Sequence, residues 1–205
     1  ELDRKRTARF PFLLRRKQAR MAISPLAWLR GAAPLFYEIL RERKDLAEGP
    51  PGEGWIAGDL HVENFGAYRP DPIAADVRAE KHKNETLHVA FNLNDFDDAV
   101  IGPFRYDVLR LTTSLLLGGR EMGFDGIHAI DLCRRLLGAY VASAFQGRRV
   151  PVTPAPVQAL MAKVHDRSRK ELLDARTVTH KGRRTFARGP RYVALARSVA
   201  KAAPA

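Results

Sequence analysis

Two short apolar stretches in this sequence run directly into acid. Trp55-Ile56-Ala57 leads into GDLHVENFG (58–66), and Leu87, Val89, Phe91 and Leu93 alternate with His88, Ala90, Asn92 and Asn94 before Asp95. Alternation with a period of two marks a half-buried strand, and a short apolar run bounded by glycines reads the same way. The first strand delivers Asp59 and Asn64 to its end, and the second delivers Asp95, Asp97 and Asp98. Carboxylates packed together repel, and a fold tolerates them where a cation or reacting group balances their charge. The two strands read as hairpin partners, a pairing that brings both loops to one place.

Around this pair the spacing is helical. Ser24-Pro25 is a helix start, a capping hydroxyl followed by proline at the first helical position. Leu26, Leu29, Ala32, Ala33, Phe36, Ile39 and Leu40 then share one face, and Gly31 and Pro34 mark a bend. Further helices are expected from Gly102-Pro103 to about Leu117, over 126–145, and over 154–175 behind Thr153-Pro154. Phe65 to Tyr68 reads as another strand, GPPGEG (49–54) as a loop, and the polar stretch 70–86 as a long loop or insertion. VPVTPAP (150–156) is the expected hinge, a basic helical segment follows from about Arg191, and no internal repeat is present. The fold class is α/β of the α+β kind, mostly helical, with a small β-hairpin carrying the acidic site. The expected organisation is a basic N-terminal arm (1–20), a central region with the acidic loops (21–150) and a basic C-terminal segment (151–205), read as truncated.

Charge follows the same division. Residues 1–50 carry 12 Lys/Arg against 6 acids, 51–110 carry 6 against 11, and 147–205 carry 14 against 3. An acidic centre between basic arms suits an anionic partner: phosphates, an acidic substrate or nucleic acid. Aromatic residues are not interleaved with the basic runs, so a stacking platform for single strands is not favoured. No apolar run reaches the roughly 18–20 residues of a membrane helix, and FPFLL (10–14) is too short for a signal-peptide core. The single Cys133 cannot form an internal disulfide, and it reads as a small core residue. These features make a cytoplasmic chain, without a membrane partner, the expectation. The start at Glu1 suggests a fragment or a processed product.

Oxygen donors from two loops suit a hard cation such as Mg²⁺, which takes one or two carboxylates and completes its shell with phosphate oxygens. A carboxylate beside such a cation can accept a proton from an attacking hydroxyl or orient it. An Asp followed five residues later by Asn, then a strand ending in an Asp-aromatic pair, is the lower-lobe arrangement of kinase-type phosphotransferases. Other readings stand beside it. Asp-x-His at Asp59 and His61 also occurs in metal-dependent phosphoesterases, though the remaining histidines lie in no matching motif, so hydrogen bonding within the loop is the expected role of His61. An EF-hand at NLNDFDD fails, because Phe96 falls where an oxygen ligand is needed. A basic, non-catalytic nucleic-acid- or anion-binding module is the third reading.

GDLHVENFG, NDFDDAVIGPFRYDVLRL and, upstream, MAISPLAWLRGAA (21–33) resemble the signature blocks of the bacterial domain-of-unknown-function 2252 family, itself similar to aminoglycoside and choline kinases. The resemblance spans roughly residues 20–200. It implies a protein-kinase-like lower lobe and Mg²⁺-dependent phosphoryl transfer from ATP to an unknown small molecule. It also implies Asp59 as catalytic base or orienter and Asn64 and Asp95 as Mg²⁺ ligands, with Asp97 and Asp98 as further candidates. Arg30 is the candidate phosphate contact, His61 orients the loop, and Asp107 anchors the lobe through a partner such as Arg105 or Arg110. GEGWIAG (52–58) has the wrong glycine spacing for a nucleotide clamp and reads as turn plus strand, so the upper lobe is absent or incomplete.

Overall fold

A cap, a break and a buried leucine pair set the first architectural unit. In the computed structural model, which describes residues 2–69, 89–148 and 153–189, Ser24 Oγ accepts a hydrogen bond from Ala27 N at 3.1 Å. Pro25 then opens a helix that buries Leu26 and Leu29. That helix ends at Gly31, and a second begins at Ala33 with proline in its first turn, so the bend expected at Gly31 and Pro34 is present. In chain order the elements are α1 (Leu2–Arg6), α2 (Pro11–Met21), α3 (Pro25–Gly31), α4 (Ala33–Glu42), β1 (Glu53–Ile56), β2 (Phe65–Tyr68), β3 (Ala90–Leu93), β4 (Val100–Pro103), α5 (Phe104–Glu121), α6 (Gly126–Gln146), α7 (Ala155–Asp166), α8 (Arg169–Asp174), β5 (Thr177–His180) and β6 (Arg183–Phe186). Short 3₁₀ turns occupy Lys44–Ala47 and Val62–Asn64. The architecture is α+β and mostly helical, with two-stranded sheets.

The strands pair differently from the expectation. β1 pairs antiparallel with β4, Glu53 opposite Pro103 and Ile56 opposite Val100, while β2 pairs with β3. The apolar run at 55–57 therefore does not lie against the strand that precedes Asp95. Instead the pairings are nested, the inner one between β2 and β3 and the outer one between β1 and β4. Both arms of this interrupted hairpin break at the same level. The segment 57–64 joins β1 to β2, and 94–99 joins β3 to β4, so the two acidic loops meet across the break. Pairing is set by contacts distant in sequence, and period-two patterning alone does not choose a partner. Pro103 closes β4 with φ −63° and ψ 125°, and α5 starts only at Phe104 and runs to Glu121, one turn beyond the expected end.

Residues 1–68 and 91–157 form one compact unit. Its core gathers Leu26, Leu29, Ala32, Leu40, Ile56, Ala57, Leu60 and Ala129. The long helix α5 packs against α3, β1, the Val62–Asn64 turn and α6. α6 is capped at both ends. Asp125 accepts from His128 N, and Gly147 takes a left-handed conformation at its C-terminus.

Residues 69–90 and 158–205 form a second unit. The helix expected over 154–175 is divided here: Ser168 and Glu171 form a capping box that starts α8 anew. A hairpin that the sequence reading did not foresee follows, β5 against β6, closed by Lys181-Gly182 with φ of 49° and 76°. Positive φ at both turn positions is the two-residue geometry that matches strand twist. The expected loop at 70–86, the first part of the expected hinge and the helix from Arg191 lie outside the described residues. Among the described residues, no helix is long and apolar enough to cross a membrane.

Candidate functional site

The loop after β1 is held along its length by one face of α5. Asp107, Arg110 and Ser114 are spaced three and four apart and share that face. The carboxylate of Asp107 accepts from Ala57 N at 2.6 Å and from Gly58 N at 3.2 Å. Arg110 donates through Nη2 to Asp59 Oδ1, and Ser114 Oγ accepts from Val62 N at 3.1 Å. One turn further on, Gly118 leaves room: a Cβ there would lie 3.4 Å from Leu26 and 3.9 Å from Val62. A stripe of four residues thus fixes residues 57–62. From the other side, the Tyr37 hydroxyl of α4 donates to Gly58 O at 2.5 Å.

Within the loop the polar side chains close on the backbone. Asn64 Oδ1 accepts from His61 N at 2.6 Å, and His61 Nδ1 accepts from Glu63 N at 3.3 Å. Side-chain and backbone bonds of this kind cap the Val62–Asn64 turn. Asn64 then bridges to the second loop. Its carbonyl accepts from Asn94 N at 3.0 Å, and its Nδ2 donates to Asp95 Oδ2 at 3.2 Å. At Gly58, with φ +78°, the loops touch backbone to backbone, since a Cβ built there would sit 2.2 Å from Asp98 O.

Burial and neighbouring charge tune these groups. Asp59 and Asp107 are both raised above the ordinary carboxyl value, chiefly by burial; Arg110 opposes the rise at Asp59, and the two backbone amides oppose it at Asp107. Asp95 is raised because the Asp97 carboxyl stands within hydrogen-bonding reach. His61 is pushed down to about 4 by burial, with Arg30 and Arg110 adding repulsion. Its ring is therefore neutral near pH 7, and the acceptor role of Nδ1 leaves the proton on Nε2. Tyr37 is pushed up to about 12, mainly by burial, and remains a hydroxyl donor.

The candidate residues fall into three positions. Asp59 is half-buried against Arg110, His61 and Asn64 are buried inside the loop, and Asp95, Asp97 and Asp98 stand exposed across from them. Arg30, at the end of α3, reaches over the loop and pairs with Glu63 at 2.5 Å. Asp107 is an anchor, but not through an arginine: it binds backbone amides, while Arg105 donates to Ala47 O and Arg110 is taken by Asp59. Arg110, Ser114, Tyr37 and Glu63 were not singled out as site residues. The signal for the first two was present, as polar residues three and four apart in a helix otherwise rich in leucine.

Asp95 and Asp97 offer hard carboxylate oxygens, while Asn64 turns Oδ1 to His61 N and Nδ2 to Asp95. No three His, Cys, Asp or Glu side chains converge on one point among the described residues. The carboxylates of Asp95 and Asp97 suit a cation held by one or two such groups, with ligand or water oxygens completing its shell, and Asn64 would add its oxygen only with its amide turned, since Nδ2 now faces Asp95. No curated protein and no solved structure matches this chain. A family profile described as "Uncharacterized protein conserved in bacteria (DUF2252)" matches residues 9–205, which include both acidic loops and the helix that holds them, and the chain belongs to that family.

Proposed function

We propose that the two loops form the acidic half of a kinase-type phosphotransferase centre, using Mg²⁺ to move a phosphoryl group from ATP to a small-molecule acceptor. One observation carries this reading. Asp59 and Asn64 share a loop, the paired strands β2 and β3 follow, and Asp95 returns beyond them to meet Asn64. Kinase-type sites group their parts in that order, with a catalytic Asp and a metal-binding Asn on one loop and a second metal-binding Asp after a hairpin.

In this reading Asp59 accepts the proton of the acceptor hydroxyl or orients it, and its half-burial raises its basicity towards that task. Asn64, Asp95 and Asp97 hold Mg²⁺. When bound, the cation neutralises charge on the nucleotide phosphates and orients them. Arg30 exchanges its ion pair with Glu63 for a phosphate oxygen, and His61 keeps the loop closed through its two hydrogen-bonding positions.

The test is calorimetric titration of Mg²⁺–ATP into the wild type, Asp95→Ala and Asp59→Ala. Binding that weakens about tenfold or more in Asp95→Ala and persists in Asp59→Ala is expected; equal affinity in wild type and Asp95→Ala sinks the metal-site assignment. Nucleic-acid binding that falls steeply with salt and ignores Asp59→Ala would point instead to a basic binding module. Release of p-nitrophenol with Mn²⁺ and no ATP would point to a phosphoesterase.

A further inference from the structure

Arg110 ties the acidic loop to the N-terminal helices, and it does so at a cost. It is 0% exposed. Its Nη2 donates to Asp59 Oδ1 and, at 2.8 Å, to Leu29 O in α3. The guanidinium lies 5.0 Å from the centroid of the Phe36 ring in α4. Only one nitrogen of the fork is used: Nε and Nη1 are buried and have no acceptor among the described residues. A guanidinium is expensive to take out of water, and buried ion pairs can often be replaced by packed apolar residues without loss of stability. A methionine of similar length would fill the slot between Leu29 and Phe36 and strand no donors. Packing therefore does not explain the choice of arginine, and its one strong interaction, with Asp59, does.

We propose that Arg110 is a positioning residue for Asp59: by occupying Oδ1 and supplying the counter-charge, it keeps a half-buried carboxylate ionised and presents only Oδ2 to an incoming hydroxyl. Oδ2 accepts no hydrogen bond from the described residues. Beside Arg110 from α5, other charged or titratable groups face Asp59: Asp98 from the β3–β4 loop, Tyr37 from α4 and Arg30 from α3. Burial and the Asp98 charge push Asp59 towards the protonated form, and Arg110 is foremost among the groups that oppose them. A protonated Asp59 could not take a proton from an acceptor. Arg110 is thus what lets this carboxyl be both partly desolvated and charged.

The inference deepens the phosphotransfer reading in assuming that Asp59 meets the acceptor, but its test needs no nucleotide. The Asp59 carboxyl is titrated by carbon-detected NMR in the wild type, Arg110→Met and Arg110→Lys, with Asp59→Asn for assignment. Removing a cation at contact distance should raise the proton affinity of Asp59 about tenfold or more in Arg110→Met, and Arg110→Lys should recover at least about half of that shift. If Arg110 only joins α3 and α4 to the loop, both variants lose thermal stability while Asp59 titrates within about 0.3 pH units of wild type, which overturns the proposal. Should Arg110→Met fail to fold, a cycle of Arg110→Lys, Asp59→Asn and the double variant decides. The double should unfold about fivefold or more less readily than the product of the single effects predicts, and multiplicative effects overturn the proposal. Failure to bind Mg²⁺–ATP would count against the phosphotransfer reading alone, and an unshifted Asp59 against this inference alone.

Discussion

Replacing Gly58 by alanine tests whether contact between the two acidic loops stabilises the fold. Gly58 has φ +78°, and its Cβ would meet Asp98 O at 2.2 Å and Asp98 C at 3.1 Å. The left-handed conformation costs a residue with a Cβ about 1–2 kcal/mol. The steric conflict adds to this, because the atom in the way is backbone and the 94–99 loop must retreat by roughly 1 Å. Forcing an extra methyl into packed structure costs about 1–3 kcal/mol. The total is roughly 2–5 kcal/mol, which for a chain of this length corresponds to a fall in Tm of about 4–20 °C. Gly147→Ala separates the two contributions, since Gly147 also has positive φ (+62°) but nothing within 4 Å of its added Cβ. It should lose only the conformational part, about 1–2 kcal/mol. Thermal unfolding followed by circular dichroism gives both values, and amide exchange at Asn94, whose N–H is bonded to Asn64 O, reports the junction directly. If Gly58→Ala melts with Gly147→Ala and Asn94 stays protected, the loop contact has no energetic weight and the reasoning from the close approach is wrong.

Three further outcomes are expected. His61 has a folded value of about 4 against an ordinary 6.5, so the unfolded chain binds the extra proton between those values. The stability it contributes is present above pH 6.5 and is lost as pH falls, roughly 3 kcal/mol by pH 4. Asp59 and Asp107 are shifted the other way, and their contribution is full below 3.8 and lost as pH rises through their folded values. The quantity to read is therefore the difference between wild type and His61→Gln in urea unfolding across this range, and parallel curves would refute the His61 assignment. Ser114→Ala removes the buried acceptor of Val62 N and should cost about 1–3 kcal/mol, measured by denaturant midpoint; an unchanged midpoint would show that Ser114 does not hold the loop. Gly138 lies mid-helix in α6 with open space around its Cβ position. Gly138→Ala should raise stability by about 0.5–1 kcal/mol, and a lower Tm would mean that this face is in contact with something.

Local chemistry was legible in the sequence wherever a few neighbouring residues decide the outcome. Ser24-Pro25 starts α3, the Gly31–Pro34 bend separates α3 from α4, and the apolar run at 55–57 becomes β1 with Asp59 just beyond it. The Ser168–Glu171 capping box and the Lys181-Gly182 turn are equally local signals, though helical spacing from 154 onwards competes with both. What the sequence could not give was partnership across long separations. The choice of β4 over β3 as the partner of β1 depends on where the chain turns between them. Arg110 could serve Asp107 three residues away or Asp59 fifty-one away, and only the docking of the loop on α5 decides for Asp59. The same docking leaves Asp107 free to bind the amides of Ala57 and Gly58.

The nesting of β2·β3 inside β1·β4 makes the site insensitive to the length of what lies between its halves. The connection from Tyr68 to Ala90 spans residues 69–89, whereas the acidic loops precede β2 and follow β3 in the chain. Closing a loop half as long changes the entropic cost by only about 0.6 kcal/mol. Residues can therefore be added to or removed from this connection while Asn64 still meets Asp95, so long as β2 and β3 remain paired. Permuting the chain within that connection, or inserting a reporter domain there, would leave the meeting of the two acidic loops to the outer pair and to α5. The contact between Asn64 and Asp95 is then the readout of how much change in length the connection bears.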